Sequence, residues 1–335
     1  MNGKAFGHMP DGTAVHLYEL RNARMTVCVA DLGAALVSCA VDGRDVALGY
    51  DSAEEYLTNA GNMGATVGRY ANRIRNGRFI LNGTAFQLSC NRPPHCLHGG
   101  REGFHRKLWR VTEYTRDAIT LELFSPDGDQ GFPGDLTVTA VYALRDTALS
   151  LTYTAVSDAD TVCSLANHTY WNLAGHDGGH AALCEHVFTV PAAARCELDS
   201  DTVPTGRLCP VEGTVFDLRR GVRLGDVLAD PALRLTRGFD HPYALSGQWA
   251  LAAAVRCGDT AMEVWTDAPC MQVYSGNGLP PVPGKNGAQY GPQTGFCLET
   301  QQFPDAPNCP SFPNAVLRAG EKKIYRTEYR FIKEC

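Results

Sequence analysis

Leu136-Thr137-Val138-Thr139-Ala140-Val141-Tyr142 sets an apolar side chain at every second position with mostly hydroxyls between, the period of a strand that turns one face to a core and the other to water. The same alternation runs through Ile119-Thr120-Leu121-Glu122-Leu123 and Leu149-Ser150-Leu151-Thr152-Tyr153. Three half-buried strands therefore follow one another closely. Upstream, Arg78 to Leu81 and residues 84–88 flank Asn82-Gly83, the dipeptide that most readily takes the positive φ angles of a two-residue hairpin. Residues 183–190 and 262–266 also read as strands, and only Ser52 to Asn59 and residues 219–228 have the length and composition of short helices. The 34 Gly and 19 Pro are spread as turn punctuation, with no repeat, low-complexity tract or composition break. The sequence thus predicts an all-β fold, a large antiparallel β-sandwich with a few short helices, spanning residues 1–335 as a single domain.

Composition narrows the partners. Lys and Arg number 30 against 36 Asp and Glu, a formal charge of −6, which argues against a surface built to neutralise nucleic-acid phosphates or anionic lipid. A small neutral molecule fits better. No stretch reaches the roughly 18 apolar residues of a membrane helix, and the N-terminal residues, with Asn2, Lys4, His8 and Asp11, lack the apolar run of a secretory signal, so a cytoplasmic location is expected. The 13 cysteines, from Cys28 to Cys335, form no C-x-x-C pair and read as reduced thiols. His95-Cys96-x-His98 resembles half of a zinc site, but no second ligand pair follows it, and no metal is expected. Neither the Gly-Lys at 284–285 nor the glycines at 64–68 have the spacing of a phosphate or dinucleotide loop.

Four segments concentrate polar chemistry. Gly68-Arg69-Tyr70-Ala71-Asn72-Arg73-Ile74 offers two guanidinium groups suited to hydroxyls or carboxylates, or else a solvated strand end with Arg69 and Arg73 on one face. Leu97-His98-Gly99-Gly100 follows a histidine with two glycines that uncover the backbone for a ligand; a turn histidine bonded to backbone is the plain alternative. In residues 164–172, a strand would place Ala166, His168, Tyr170 and Asn172 on one face, making His168 a candidate general acid or else a satisfied core imidazole. In Gly295-Phe296-Cys297-Leu298-Glu299-Thr300-Gln301, desolvation of a carboxylate inside an apolar strand raises its pKa, so Glu299 is the candidate base unless it leans into solvent. Gly238-Phe239-Asp240-His241 and Met271-Gln272-Val273-Tyr274 are weaker signals of the same kind.

These segments, with Gly77-Arg-Phe-x-Leu-Asn-Gly83 and Ser125-Pro-Asp-Gly-x-x-Gly-Phe-Pro-Gly134, resemble in order and across nearly the whole chain the aldose 1-epimerase (galactose mutarotase) family. The resemblance implies a large antiparallel β-sandwich that interconverts the α and β anomers of free hexoses without cofactor or metal. It implies Glu299 as general base and His168 as general acid, with Asn72, Arg73, His98, Asp240 and Gln272 binding an aldohexose; whether the chain is a monomer or homodimer is left open by the sequence. Two departures stand out: His105-Arg106 where Asp-Lys is frequent, and Pro242 where Asn is common. Pro242 lacks a backbone donor, which leaves the placement of Asp240 and the preference among sugars open. Arg101, Arg106 and Lys107 would serve a hexose-phosphate epimerase instead. A catalytically silent sugar-binding protein is a third reading, and a glycosidase a fourth, although no second acid is visibly paired with Glu299.

Overall fold

The computed structural model describes residues 3–58 and 61–333. The three alternating stretches lie in Ala118–Ser125, Leu136–Arg145 and Ala148–Ser157, paired antiparallel in a nine-stranded sheet that continues through Lys322–Lys333, Thr260–Thr266, Ala250–Cys257 and Val187–Thr189. Leu136–Arg145 buries every second residue from Leu136 to Leu144, so the period read from the sequence is the period of burial. The N-terminal strands from Lys4–His8 to Arg44–Asp45 form a five-stranded meander. A second five-stranded sheet orders Pro204–Pro210, Ala194–Leu198, Asp240–Ala244, Cys270–Tyr274 and Cys297–Gln301. Leu20, Val27, Leu121, Val138, Tyr243, Val273 and Leu298, drawn from all three sheets, meet in one core, the sandwich packing that the alternation predicts.

The hairpin forms as read: Arg78–Leu81 pairs with Thr84–Gln87, and Asn82 and Gly83 turn with φ of 51° and 80°. Ser52 to Asn59 contains the helix Ala53–Thr58, Asn59 itself lying outside the described residues, as does Cys335. Two readings need correction. Residues 183–190 do not form one strand, because Leu183 closes the helix Gly179–Cys184 and only Val187–Thr189 is extended. Leu183 is buried there as the single apolar anchor of a one-turn helix, a pattern too short to show a period. Residues 219–228 shrink to the four-residue helix Leu224–Val227, since Val222–Arg223 is captured by the sheet edge beside Val187–Thr189. Of the Gly-Lys at 284–285, Lys285 is buried, donating to Val37 O at 2.9 Å and to Asp45 Oδ2 at 2.6 Å. No helix among the described residues is long and apolar enough to cross a membrane, and every described cysteine is a free thiol.

Candidate active site

Strand register assembles one wall of the site. All five residues of Cys297–Gln301 are buried. Leu298 faces the main core and Thr300 bonds Thr327 of the large sheet, so period-two alternation turns Cys297, Glu299 and Gln301 to the opposite face. Glu299 lies directly opposite Gln272, and Gln272 opposite Pro242, so Asp240, two residues before Pro242, shares that face with both. The pairing runs from Asp240–Tyr274 to Ala244–Cys270 without a register shift. Pro242 sits within this pairing, and the strand on its other side, Ala194–Leu198, is paired with Asp240–Ala244 only at Arg195–Tyr243, the short ladder in which a proline is accommodated. Asp240 is further held by Gln272, whose Nε2 donates to its Oδ1 at 2.5 Å.

Loops carrying the other groups cover this face. Ala166–Asn167 pairs with Thr66–Val67, after which the His168 N–H donates to Ala65 O at 2.9 Å and its carbonyl accepts from Gly64 at 3.0 Å. The alternation expected through residues 164–172 therefore holds over two strand residues only. His168 and Tyr170 line the cavity, whereas Asn172 is withdrawn, donating to Gly179 O and Thr294 O. Asn72 and His98 both take left-handed backbone, φ 66° and 52°, where Arg73–Ile74 pairs with Cys96–Leu97.

Asn72, Arg73, His98, His168, Asp240 and Glu299 converge on a cavity of about 650 Å³, while Gln272 stands behind Asp240. His168 Nε2 is 3.8 Å from Glu299 Oε1, and both side chains are almost wholly buried. Glu299 Oε2 has no protein hydrogen-bond partner among the described residues. Burial, followed by the Asp240 charge, pushes the Glu299 carboxyl up to about 8, against a smaller downward pull from Arg73. Burial brings the His168 imidazole down to about 4, with an opposing bond to its own backbone, and holds His98 well below its usual value. Asp240 is thus the second carboxylate near Glu299 that the linear spacing hid. Tyr170 and Tyr274 wall the imidazole, with ring centroids 5.1 and 6.2 Å from His168. Sequence reasoning missed Asn62, Arg92, Arg237 and Asn277 in the cavity lining; the adjoining glycines of Asn62, Arg237 and Asn277 were the available signal.

The sequence model of the aldose 1-epimerase family matches residues 16–330. The chain belongs to that family. Mouse galactose mutarotase is 40% identical over 337 aligned positions and aldose 1-epimerase of Escherichia coli K12 is 37% identical over 340, with 97% of each chain covered in both cases. Among solved structures, an aldose epimerase homologue from C. elegans superposes with a TM-score of 0.89 at 27% identity, covering 96% of this chain and 100% of that one. Galactose 1-epimerase of Lactobacillus acidophilus gives 0.88 at 28%, covering 100% and 99%.

In this member of the aldose 1-epimerase family, Arg69 does not share a face with Arg73. It is buried away from the cavity, where its Nη1 donates to Pro133 O and Gly134 O and its Nη2 to Ser125 O and Oγ, at 2.7 to 2.9 Å. Gly99 admits another stretch of backbone instead of a ligand, since a Cβ there would sit 1.8 Å from Gly68 O. The basic cluster read as a phosphate grip is engaged elsewhere: Arg101 donates to Cys90 O, Arg106 to Leu57 O and Glu102, and Lys107 pairs with Asp129. His95-Cys96-x-His98 does not gather as a donor set, because His95 Nδ1 accepts from Asn76 and Cys96 packs in a core cluster. Among the described residues the group with metal-like spacing is His98, His168 and Glu299, whose ligand atoms lie within 4.8 Å of one another.

Proposed function

We propose that this protein interconverts the α and β anomers of free aldohexoses, with Glu299 as general base and His168 as general acid. The approach of His168 Nε2 to Glu299 Oε1 on a buried cavity wall carries this reading. The two groups together hold one proton near neutrality, since burial disfavours both the carboxylate and the imidazolium. Binding of a pyranose supplies the missing polar partners: the C1 hydroxyl donates to Glu299, and the ring oxygen accepts from protonated His168. Glu299 then takes the hydroxyl proton as the C1 to ring-oxygen bond breaks, and His168 delivers its proton to the departing oxygen.

The open-chain aldehyde is left beside a protonated Glu299 and a neutral His168. That is the state burial favours, so desolvation of the pair lowers the ring-opened species relative to the closed one. Rotation about C1–C2 by about half a turn exposes the other carbonyl face, and the two transfers run backwards to close the opposite anomer. Protons balance at every step and no electrons are exchanged. Arg73, Asn72 and His98 orient the sugar, and Asp240, set by Gln272, grips distal hydroxyls.

Polarimetry of freshly dissolved α-D-glucose and α-D-galactose tests the proposal. Relaxation to the equilibrium rotation is expected to run faster than in buffer for at least one of them, and faster than for glucose 6-phosphate. No acceleration with either free sugar, combined with calorimetric evidence of binding, would favour the silent binding protein instead.

A further inference from the structure

The main-chain N–H of Asn72 donates to His98 Nδ1 at 3.1 Å, while the Asn72 carbonyl accepts the His98 main-chain N–H at 3.0 Å. An N–H can donate only to a ring nitrogen that carries a lone pair, and a neutral imidazole has one such nitrogen. The His98 proton is therefore on Nε2. His168 differs: its Nδ1 lies 3.5 Å from Cys297 Sγ, a contact in which either atom can donate. Its Nε2 faces Glu299 at 3.8 Å, so neither ring nitrogen is held to one protonation state by the contacts around it. The two rings are edge to face, 5.2 Å between centroids.

We infer that the Asn72 main chain locks His98 in one tautomer, as a fixed Nε2–H donor, and so leaves the cycling proton to His168 Nε2. This deepens the proposed mechanism and rests on it only for the role of His168. The lock gives a reason for the left-handed backbone at both Asn72 and His98, since this double clasp turns one N–H onto a ring and one carbonyl onto a backbone N–H. Its consequence is a division of labour. His98 cannot exchange places with His168 as acid without facing a ring N–H against the Asn72 N–H, so it supplies a constant donor to a sugar oxygen while His168 cycles. The same lock removes the His98 lone pair from the His98, His168 and Glu299 group, which then offers a divalent cation one imidazole nitrogen instead of two.

Two-bond proton–nitrogen correlation spectra of protein labelled with 15N-histidine read the tautomers directly, with His98 and His168 assigned by loss of their signals in His98→Gln and His168→Gln. The expected pattern is a protonated Nε2 and an unprotonated Nδ1 on His98 in the unliganded wild type. A protonated Nδ1 on His98 would overturn the inference whether or not the protein proves to be a mutarotase. As a second readout, the carboxamide introduced by His98→Gln reaches the place of Nε2, whereas the shorter one introduced by His98→Asn reaches only that of Nδ1. His98→Gln is expected to lose about tenfold in kcat and His98→Asn about 10²–10³-fold, the cost of one missing donor at a reacting oxygen; equal losses would contradict the assignment.

Discussion

Glu299 and His168 make opposite demands on pH. The folded Glu299 carboxyl lies above its ordinary value, at about 8, so its contribution to stability is complete below the free carboxyl range and declines as pH rises toward 8. The folded His168 imidazole lies below its ordinary value, at about 4, so its contribution is complete above the free imidazole range and is lost as pH falls toward 4. Urea unfolding of wild type and Glu299→Gln between pH 5 and 8 separates the two: the variant is expected to gain on wild type by a few kcal/mol across this range, because its side chain never ionises. A constant difference would show that the carboxyl is not neutralised by burial. On the proposed mechanism catalysis needs one proton on the pair, so kcat/KM is expected to fall below about pH 4 and above about pH 8, with limbs that belong to the pair as a unit. A flat pH profile from 5 to 9.5 would contradict that proton count.

At the scale of elements, the site depends on how few residues position it. Gly99, at φ 85°, lets the Gly68 carbonyl pass where a Cβ would lie 1.8 Å away, so Gly99→Ala is expected to cost at least ~2 kcal/mol in urea unfolding and to lower activity by displacing His98. Arg69 satisfies four acceptors on Ser125, Pro133 and Gly134. Arg69→Met, which leaves those buried groups unpaired, is expected to destabilise by about 3–5 kcal/mol while changing KM little. A large rise in KM with unchanged stability would return Arg69 to the ligand set. The contrast shows what the chain made legible. Strands such as Leu136–Arg145 were readable because one face is wet, and Glu299 because a carboxylate in an apolar run is conspicuous. Arg69 and Arg73 were not, because Asn72 reverses the backbone between them and cancels the strand period. The Leu183 helix was too short to carry a period, and the proximity of Asp240 to Glu299 arises from pairing across two strands, which linear spacing cannot express.

The whole molecule divides scaffold from chemistry. None of the described residues that line the cavity comes from the nine-stranded sheet. That sheet supplies apolar backing, and its residues meet Leu298 and Val273 from behind, fixing the strands that bear Glu299 and Gln272. The cavity floor thus inherits the rigidity of a packed core while its rim is made of loops, an arrangement that lets the ligand side vary without disturbing the proposed proton-transfer pair. If Glu299 and His168 act as one device, removing either should cost nearly as much as removing both. The decisive measurement is the polarimetric rate of anomer interconversion near pH 6.5 for wild type, Glu299→Gln, His168→Gln and the double variant, each shown to be folded. The account predicts acceleration by wild type, a loss of about 10²–10⁴-fold in kcat for each single variant and little further loss in the double; a single variant that keeps the wild-type rate would contradict it.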